Sequence, residues 1–447
     1  MDKKYKILII TYYFPPKNAI ASHRPYSWAK YWSRMGHDVT VLTMKDVRHD
    51  NNLNLDCSNF NIIRIESKLY NFLSKFLFKE KATQQTTDAC IDKYKKQKIL
   101  RYKSVLINYL KSIKRKTGIF STVRMPDLTD IYIFEIYKIL KHIDKYDVCV
   151  STAGPYCVHI IAYILKIKKS FNYWIADYRD LWTQHPFLTG LFPFSFFEKV
   201  IEYIINKSAN AIITVSTPLQ EIIREKYKLK NVFVIENGFD IDDLEVLKHK
   251  PPLWNDNKIR IVYTGTIYPY TQDPTPLFLA IKEIEHSDQN NLLNNLEIIF
   301  AGSRSNLDEL IEKYKVSKYV KYVGRVSREY SLLMQRDADI LLFLESDNNE
   351  GVLTGKIFEY LFSKTHIWAI GITEESFIGK FINDSGNGTC FGNDVVKIKS
   401  ALLKILSSNS NEKYEKKYGN ELFLQRYTRE NLAKKYIDII HYITRTK

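Results

Sequence analysis

Residues 351–361 read GVLTGKIFEYL and follow the apolar run ADILLFL, so the spacing predicts a strand, a loop and then a helix. Gly355 and Lys356 fall in the first turn of that helix. Glycine lowers helix propensity, and a lysine sits badly at the positive end of the helix dipole unless something negative lies in front of it. A phosphate accounts for both residues. With Thr354 as N-cap, the free N–H groups near Gly355 and Lys356 face an anion; glycine lets it approach and lysine adds charge. Glu359 lies three residues on, hence on the same helical face as Lys356, where its carboxylate could accept both hydroxyl hydrogens of a ribose. The alternative is a Lys356–Glu359 surface ion pair on an ordinary helix.

A second constellation lies in the first half. Arg24 precedes Pro25 at the expected start of a helix, again a cation at an unfavourable end. Its counter-anion is either a ligand group or one of the carboxylates of ADYRDLW, Asp177 or Asp180. Asp177 and Asp180, with Arg179 between them just past a strand end, could orient acceptor hydroxyls or tune a general base; Arg179 could equally be tied in a buried ion pair. His159 lies among apolar residues in YCVHIIAYIL and reads as a core group, while His23 and His185 are loop residues and better candidates for chemistry.

The elements that must position these residues alternate throughout. YKILIITYY, HDVTVLT, YDVCVST, NYWIAD, NAIITVS and NVFVIENG are strand-length apolar runs separated by helical patterns such as RPYSWAKYWSRMG, where Trp28, Ala29, Trp32 and Met35 share a stripe that Gly36 ends. After the polar, proline-containing stretch at 249–257 the alternation restarts with IRIVYTG, LEIIFAG, YVKYVG, ADILLFL and HIWAIG. Continuous apolar strands alternating with helices predict an α/β protein of two doubly wound, Rossmann-like parallel sheets, with a linker near 250. Ligands of such sheets bind outside the carboxyl ends of strands. That rule singles out Thr264, Gly265 and Thr266 after one strand and Gly324 and Arg325 after another.

Bulk properties agree. A chain of 447 residues suits two domains of about 200 residues. With 45% hydrophobic and 14% aromatic residues it can bury sizeable cores. Cys57, Cys90, Cys149, Cys157 and Cys390 are scattered, odd in number and form no CxxC, which argues against a disulfide framework or zinc site and fits a reducing cytoplasm. The N-terminus reads as a first strand rather than a signal peptide, and no run of about 18 apolar residues suggests a membrane span. No metal signature emerges, and the missing GxGxxG weakens a dinucleotide oxidoreductase. Residues 68–124 carry fifteen Lys/Arg against Glu80, Asp88 and Asp92, so most of the net charge of +16 sits there. Within it ILRYKSVLINYLKSIK has helical apolar spacing: a basic amphipathic helix for a membrane surface, or a solvated face packed on its own domain. No nucleic-acid motif accompanies the charge. The aromatic stretch HPFLTGLFPFSFFEKV (Phe187, Leu188, Leu191, Phe192, Phe194, Phe196, Phe197) is either an apolar lip that contacts a membrane or an internally packed cluster.

Three C-terminal segments, YTGTIYPYTQDPTPLFLAI, YVGRVSREYSLLMQRDADILL and GVLTGKIFEYLFSKTHIWAIG, together resemble the donor half of family 4-type glycosyltransferases of the GT-B fold. ILIITYYFPPKNAIASHRPYSWAKYWSRMGHDVTVLT, STAGPYCVHIIAYIL and IADYRDLWT resemble the N-terminal half of the same group, in its bacterial surface-polysaccharide branch. The resemblance implies two Rossmann-like domains facing a cleft: an acceptor-side domain over 1–250 with the basic insertion at 68–124, a nucleotide-sugar domain over 251–427, and a terminal helix over 428–447 that crosses back.

Residue by residue, the resemblance implies that Glu359 binds the nucleotide ribose. Thr354, Gly355 and Lys356 form the diphosphate-proximal turn, Gly265 and Thr266 lie beside the donor phosphates, and Arg325 flanks base and diphosphate. FPPKNAIASHRP occupies the place of the family's glycine-rich turn, so Ala21, Ser22 and Arg24 become substrate-binding candidates. Asp177, Arg179, Asp180 and Lys356 are the catalytic candidates. Two departures stand out: the first glutamate of the family's pair falls on Gly351, with Glu350 one residue off, and YPYTQD lacks the usual lysine or arginine.

The implied activity is retaining transfer of a sugar from a nucleotide-sugar donor, preferably a UDP-sugar, to a saccharide or lipid-linked acceptor, with no cofactor and no metal. The implied place is cytoplasmic, at the inner face of the cytoplasmic membrane, reached through 68–124 and 187–197. A GT-B nucleotide-sugar epimerase and a non-catalytic binder of anionic lipid or nucleic acid are the alternatives.

Overall fold

The computed structural model describes residues 3–45, 51, 53–77, 112–185, 188–245, 247–267, 272–303, 306–345, 351, 353–407 and 420–445, with Phe76, Leu77 and His142 by their backbone alone. Most of the basic segment, residues 78–111, and Glu350 therefore lie outside the described residues. The chain divides into two compact units, Met1–Ile235 with Ala433–Lys447, and Glu236–Leu432.

Unit 1 is built on seven parallel strands: β1 (Lys6–Ile10), β2 (Asp38–Met44), β3 (Asn61–Ile65), β4 (Tyr146–Thr152), β5 (Phe171–Tyr178), β6 (Ala211–Thr214) and β7 (Val232–Val234). Their order is β3-β2-β1-β4-β5-β6-β7. Ile7 pairs in register with Val39 on one side and Val148 on the other. Ile7 to Ile10 have no exposed surface, because helices cover both faces.

The helix Ile20–Arg34 follows β1. Its Trp28 and Trp32 stack at 5.8 Å and pack against Tyr436 of the Arg429–Arg445 helix at 4.8 and 5.5 Å. This is the stripe expected from the spacing, and it seats the end of the chain: Trp32 Nε1 donates to the Ala433 carbonyl at 3.0 Å.

Unit 2 has six parallel strands, β8 (Ile259–Thr264), β9 (Leu296–Ala301), β10 (Val320–Gly324), β11 (Ile340–Leu344), β12 (His366–Ile370) and β13 (Gly388–Gly392), ordered β10-β9-β8-β11-β12-β13. Period-two alternation sends Val262, Ile299, Leu341 and Ile367 to one face, against Ile357, Phe358 and Leu361. Ile261, Ile298, Ile340 and Trp368 go to the other, against Phe278, Ile281 and Leu402. Each such side chain contributes about 1.5–3 kcal/mol on burial. In each sheet the strand order reverses once, between β1 and β4 and between β8 and β11. Those switch points open a crevice past the strand ends.

Two boundaries differ from expectation. The units part at Ile235/Glu236, not near 250. The polar stretch there is clamped onto unit 2: the Arg336 guanidinium donates to the carbonyls of Leu247, Lys250 and Pro251, and the Leu253 N–H donates to Asp337 at 2.9 Å. Composition marks a solvated segment but not the arginine that ties it down. The first helix starts at Ile20, a turn before Pro25, which therefore lies inside it. Arg24 is thus not at the helix end, and the dipole argument for it loses its footing.

Candidate functional site

At the switch point of unit 2, β8 ends at Thr264 and the chain turns through Gly265 at φ 129°. A side chain there would meet Lys356 Cε and Nζ at 3.0 Å, so the glycine makes room for the lysine. Lys356 is the second residue of the helix Gly355–Phe362, with Thr354 at the N-cap position but its hydroxyl making no capping bond. Nζ donates to the Tyr263 hydroxyl at 2.6 Å and lies 3.9 Å from that ring's centroid. The Tyr263 oxygen is in turn 2.9 Å from both the Thr266 carbonyl and Gln272 Oε1. Burial pulls the Lys356 amine down to a pKa of about 8, against the upward pull of Glu345 and Glu359. It is a cation close to giving up its proton, and an anion beside it would hold the charged form.

Glu359 does not pair with Lys356. Its Oε1 accepts from Arg328 Nη1 at 2.8 Å and its Oε2 from Gln335 Nε2 at 3.4 Å. Arg328 also reaches Asp243 at 2.6 Å. Burial opposes its charge, and Glu359 and Asp243 more than restore it, so its pKa is raised. Arg429 is buried close by; burial lowers its pKa, which Asp243 and Asp240 only partly offset. Among the described residues the buried Nε atoms of Arg328 and Arg429 and the Gln335 Oε1 have no hydrogen-bond partner. Such orphans cost about 1–3 kcal/mol each unless a polar ligand or water meets them.

Arg325, the sequence candidate, is exposed one residue past β10 and joins none of this. Arg328, which does, begins the helix Arg328–Asp337 behind the N-cap Ser327. It is a cation in a first helical turn, the same signal that marks Lys356. Arg429, the first residue of the helix Arg429–Arg445, carries the same mark; Tyr263, Gln335 and Asp243 do not, and the four converge from separate elements.

In unit 1 a cavity of about 400 Å³ opens past the ends of β1, β4 and β5, lined by Tyr13, Ala19, Ile20, Ala21, Thr122, Val123, Gly154, Tyr156, Arg179, Asp180 and His185. Arg179 is pinned by Nε and Nη2 on the Ala153 carbonyl at 3.0 and 2.7 Å. Gly154, at φ 94°, permits this, since a Cβ would lie 2.4 Å from Nη2. Asp180 is exposed at the rim. Burial lowers the pKa of His185, partly opposed by Asp180. One fixed guanidinium, one carboxylate and an imidazole beside two tyrosines suit a hydroxyl-rich ligand.

Three site candidates are corrected. Arg24 and Asp177 are buried against each other, 2.7 Å from Nη2 to Oδ1. Asp177 also accepts from Thr152 and Tyr436, each at 2.7 Å. Burial pushes its carboxyl up, but Arg24 and these hydroxyls hold it below the ordinary range. With both oxygens fully engaged it is a structural lock rather than a base, and Arg24 binds no substrate. Ser22 is buried and donates to the Lys17 carbonyl at 2.9 Å, leaving Ala21 as the member of that group on the cavity. His23 is buried. His159 is a core group as expected, with Nδ1 2.8 Å from the Ser151 hydroxyl and its pKa lowered by burial to about 3.

A hub missed from sequence supports the cavity wall. Buried Arg124 pairs with Glu198 at 3.1 Å and donates to the carbonyls of Trp182, Leu188 and Thr189. Glu198 also accepts from the Met125 N–H and Trp182 Nε1. These bonds bind the 122–125 loop to Trp182, Leu188 and Thr189 and to the helix Phe194–Ser208. Of the aromatic stretch, Phe187 lies outside the described residues, while Phe192, Phe196 and Phe197 are 82%, 61% and 54% exposed. The rings form a lip and do not pack inward.

No family model matches the chain, and no curated protein matches it in sequence. Solved structures do. Sucrose-phosphate synthase from Thermosynechococcus elongatus is similar with a TM-score of 0.59 at 14% identity, over 99% of both chains. A TarM variant from S. aureus, solved with Fondaparinux, alpha-GlcNAc-glycerol and UDP, is similar with a TM-score of 0.58 at 10% identity, over 97% of this chain and 99% of that one. The lipopolysaccharide outer core galactosyltransferase WaaB gives 0.53 at 10% identity, over 98% and 99%. With its two parallel sheets in the observed strand orders, the chain has the GT-B fold.

Proposed function

We propose that the chain is a retaining, metal-independent glycosyltransferase that moves a sugar from a UDP-sugar to a saccharide acceptor, lipid-linked, in bacterial surface-polysaccharide synthesis. The observation that carries this reading is the cradle at the unit 2 switch point: Lys356 held over Tyr263 beside Gly265, next to Glu359 fixed by Arg328 and Gln335. A diphosphate answers the lysine and the free helix-end N–H groups, and a ribose answers Glu359. Thr266, Thr354 and Gly355 border the same turn. A fold neighbour was solved with UDP, which supports that choice of base.

Unit 2 holds the donor and the unit 1 cavity takes the acceptor, with Ala21 allowing close approach and Arg179 and Asp180 orienting its hydroxyls. An acceptor oxygen attacks the anomeric carbon as the bond from that carbon to the diphosphate oxygen breaks. The acceptor proton passes to the departing diphosphate, whose charge Lys356 and the helix-end N–H groups stabilise. Asp177, sealed by four hydrogen bonds, takes no proton. Membrane association at the cytoplasmic face rests on the exposed Phe192, Phe196 and Phe197, with Val200 and Tyr203 along the same helix, and on the basic charge of 68–124. Among the described residues no helix is long and apolar enough to cross a membrane.

The test is release of UDP from a panel of UDP-sugars with and without a lipid-linked saccharide extract, in EDTA throughout. Release that requires the extract supports transfer. A changed sugar with no acceptor dependence identifies the epimerase alternative, and no turnover with vesicle binding alone identifies a binder.

A further inference from the structure

The unit 1 cavity past the ends of β1, β4 and β5 has two unlike sides. One is aliphatic: Ala19, Ile20, Ala21, Thr122 and Val123 line it. Ile20, the first residue of its helix, is 65% exposed, a large apolar side chain left in water at the cavity. Thr122 adds only its methyl group, because its hydroxyl donates to the Ser121 carbonyl at 2.6 Å and its N–H donates to Asp127 Oδ2 at 3.0 Å. Tyr156 is committed in the same way. Its hydroxyl donates to the Asp180 carbonyl at 3.1 Å and its ring stacks on Trp182 at 4.6 Å.

The other side is polar. Arg179 Nε and Nη2 both serve the Ala153 carbonyl, while Nη1 makes no hydrogen bond among the described residues. That nitrogen carries two N–H donors on a guanidinium whose plane is already fixed. Among the described lining residues, Arg179 is balanced by Asp180 at the rim, and burial lowers the pKa of His185, which keeps its imidazole neutral near pH 7. The lining therefore has no surplus of positive charge that calls for an anion. It calls for a neutral oxygen acceptor joined to a small apolar group.

Among the substituents of a sugar, an N-acetyl group has both parts: a carbonyl oxygen that accepts a hydrogen bond and a methyl group that gains by burial. A bare hydroxyl leaves the aliphatic side in water, and the methyl of a 6-deoxy sugar leaves Arg179 Nη1 unanswered. The cavity, about 400 Å³, suits a ligand of small-molecule size.

We infer that the acceptor sugar carries an N-acetyl group, its carbonyl oxygen accepting from Arg179 Nη1 and its methyl lying on Ile20, Val123 and the Thr122 methyl. The inference rests on reading this cavity as the acceptor site and narrows the acceptor to an N-acetylhexosamine.

The test titrates N-acetylglucosamine, N-acetylgalactosamine, glucose, galactose and 6-deoxyglucose separately into the full chain, followed by saturation-transfer NMR. At least one N-acetyl sugar binds about tenfold tighter than its parent hexose, and its acetyl methyl takes the strongest saturation. Ile20→Ser, at an exposed position, removes that methyl signal and most of the preference, with an unchanged unfolding midpoint. Arg179→Lys, which gives up Nη1, weakens the N-acetyl sugar more than the hexose. Equal binding of N-acetyl sugar and parent hexose, or a preference that survives both substitutions, overturns the assignment. So does 6-deoxyglucose binding as tightly as N-acetylglucosamine, or no binding by any of the five sugars. UDP release that requires the lipid-linked extract, seen beside any of those results, leaves the transferase reading standing and removes the N-acetyl assignment alone.

Discussion

Arg24 and Lys356 raise the same question in the sequence. Each is a cation after a switch-point strand and near a helix start expected from the sequence, and each asks for an anion. In unit 1 the anion is internal: Asp177, 153 residues away in the chain, closes on Arg24 with both partners at or below 5% exposure. In unit 2, among the described residues, no carboxylate is hydrogen-bonded or ion-paired to the lysine. Glu359, the nearest by sequence, is taken by Arg328, and the amine rests on a tyrosine with its pKa drawn down to about 8. A misplaced cation therefore marks a need for negative charge but does not say whether the protein or a ligand supplies it. Only the partner settles that.

The largest consequence falls on folding. Arg24→Ala leaves Asp177 buried without its cation and should cost about 3–5 kcal/mol of unfolding free energy. Chemical denaturation reads this directly; a loss below about 1 kcal/mol would break the contrast. Lys356→Ala should do the reverse, leaving stability within about 1 kcal/mol while lowering kcat by about 10²–10³-fold. If Lys356→Ala unfolds the protein and Arg24→Ala spares it, the assignments are exchanged.

The pH dependence sharpens the same point. UDP favours the charged amine, so its affinity should be full below pH 8 and fall above it, approaching about tenfold per pH unit for one linked proton. Lys356→Arg keeps its charge and should remove that decline; an unchanged decline in the variant would assign it to another group. Smallest are the two arginines of the 325–328 segment. Arg328→Ala frees Glu359 and Asp243 and should weaken UDP by about 1–3 kcal/mol. Arg325→Ala, at an exposed position, should cost about 0–1 kcal/mol. Titration calorimetry ranks them, and the opposite order would restore Arg325 to the centre of the site.

Eleven of the thirteen strands were readable as apolar runs, a pattern that depends on neighbours in sequence; β3 (NIIRI) and β13 (GTCFG), interrupted by Arg64 and flanked by glycines respectively, were not. The Lys356–Glu359 turn was readable for the same reason, as three residues fix their shared face. What stayed hidden depends on distant pairing. Asp177 meets Tyr436 from the far end of the chain, Arg124 meets Glu198 across 74 residues, and Tyr263 meets Lys356 across 93. Arg328 is the instructive exception. It stands directly behind Ser327 at a helix start, so the rule that picked out Lys356 also applies to it. The aromatic lip was visible as composition, but its exposure follows from Glu198, whose buried carboxylate turns the inner face of that helix toward Arg124 and leaves Phe196 and Phe197 outward.

The most direct measurement is thermal unfolding of the wild type, Lys356→Ala and Glu359→Ala with UDP, GDP, ADP and CMP. A ligand that binds the native state alone raises apparent stability by mass action. The account predicts an upward shift with UDP that both substitutions abolish. No shift of the wild type with any of the four nucleotides, or a UDP shift that survives both substitutions, would contradict it.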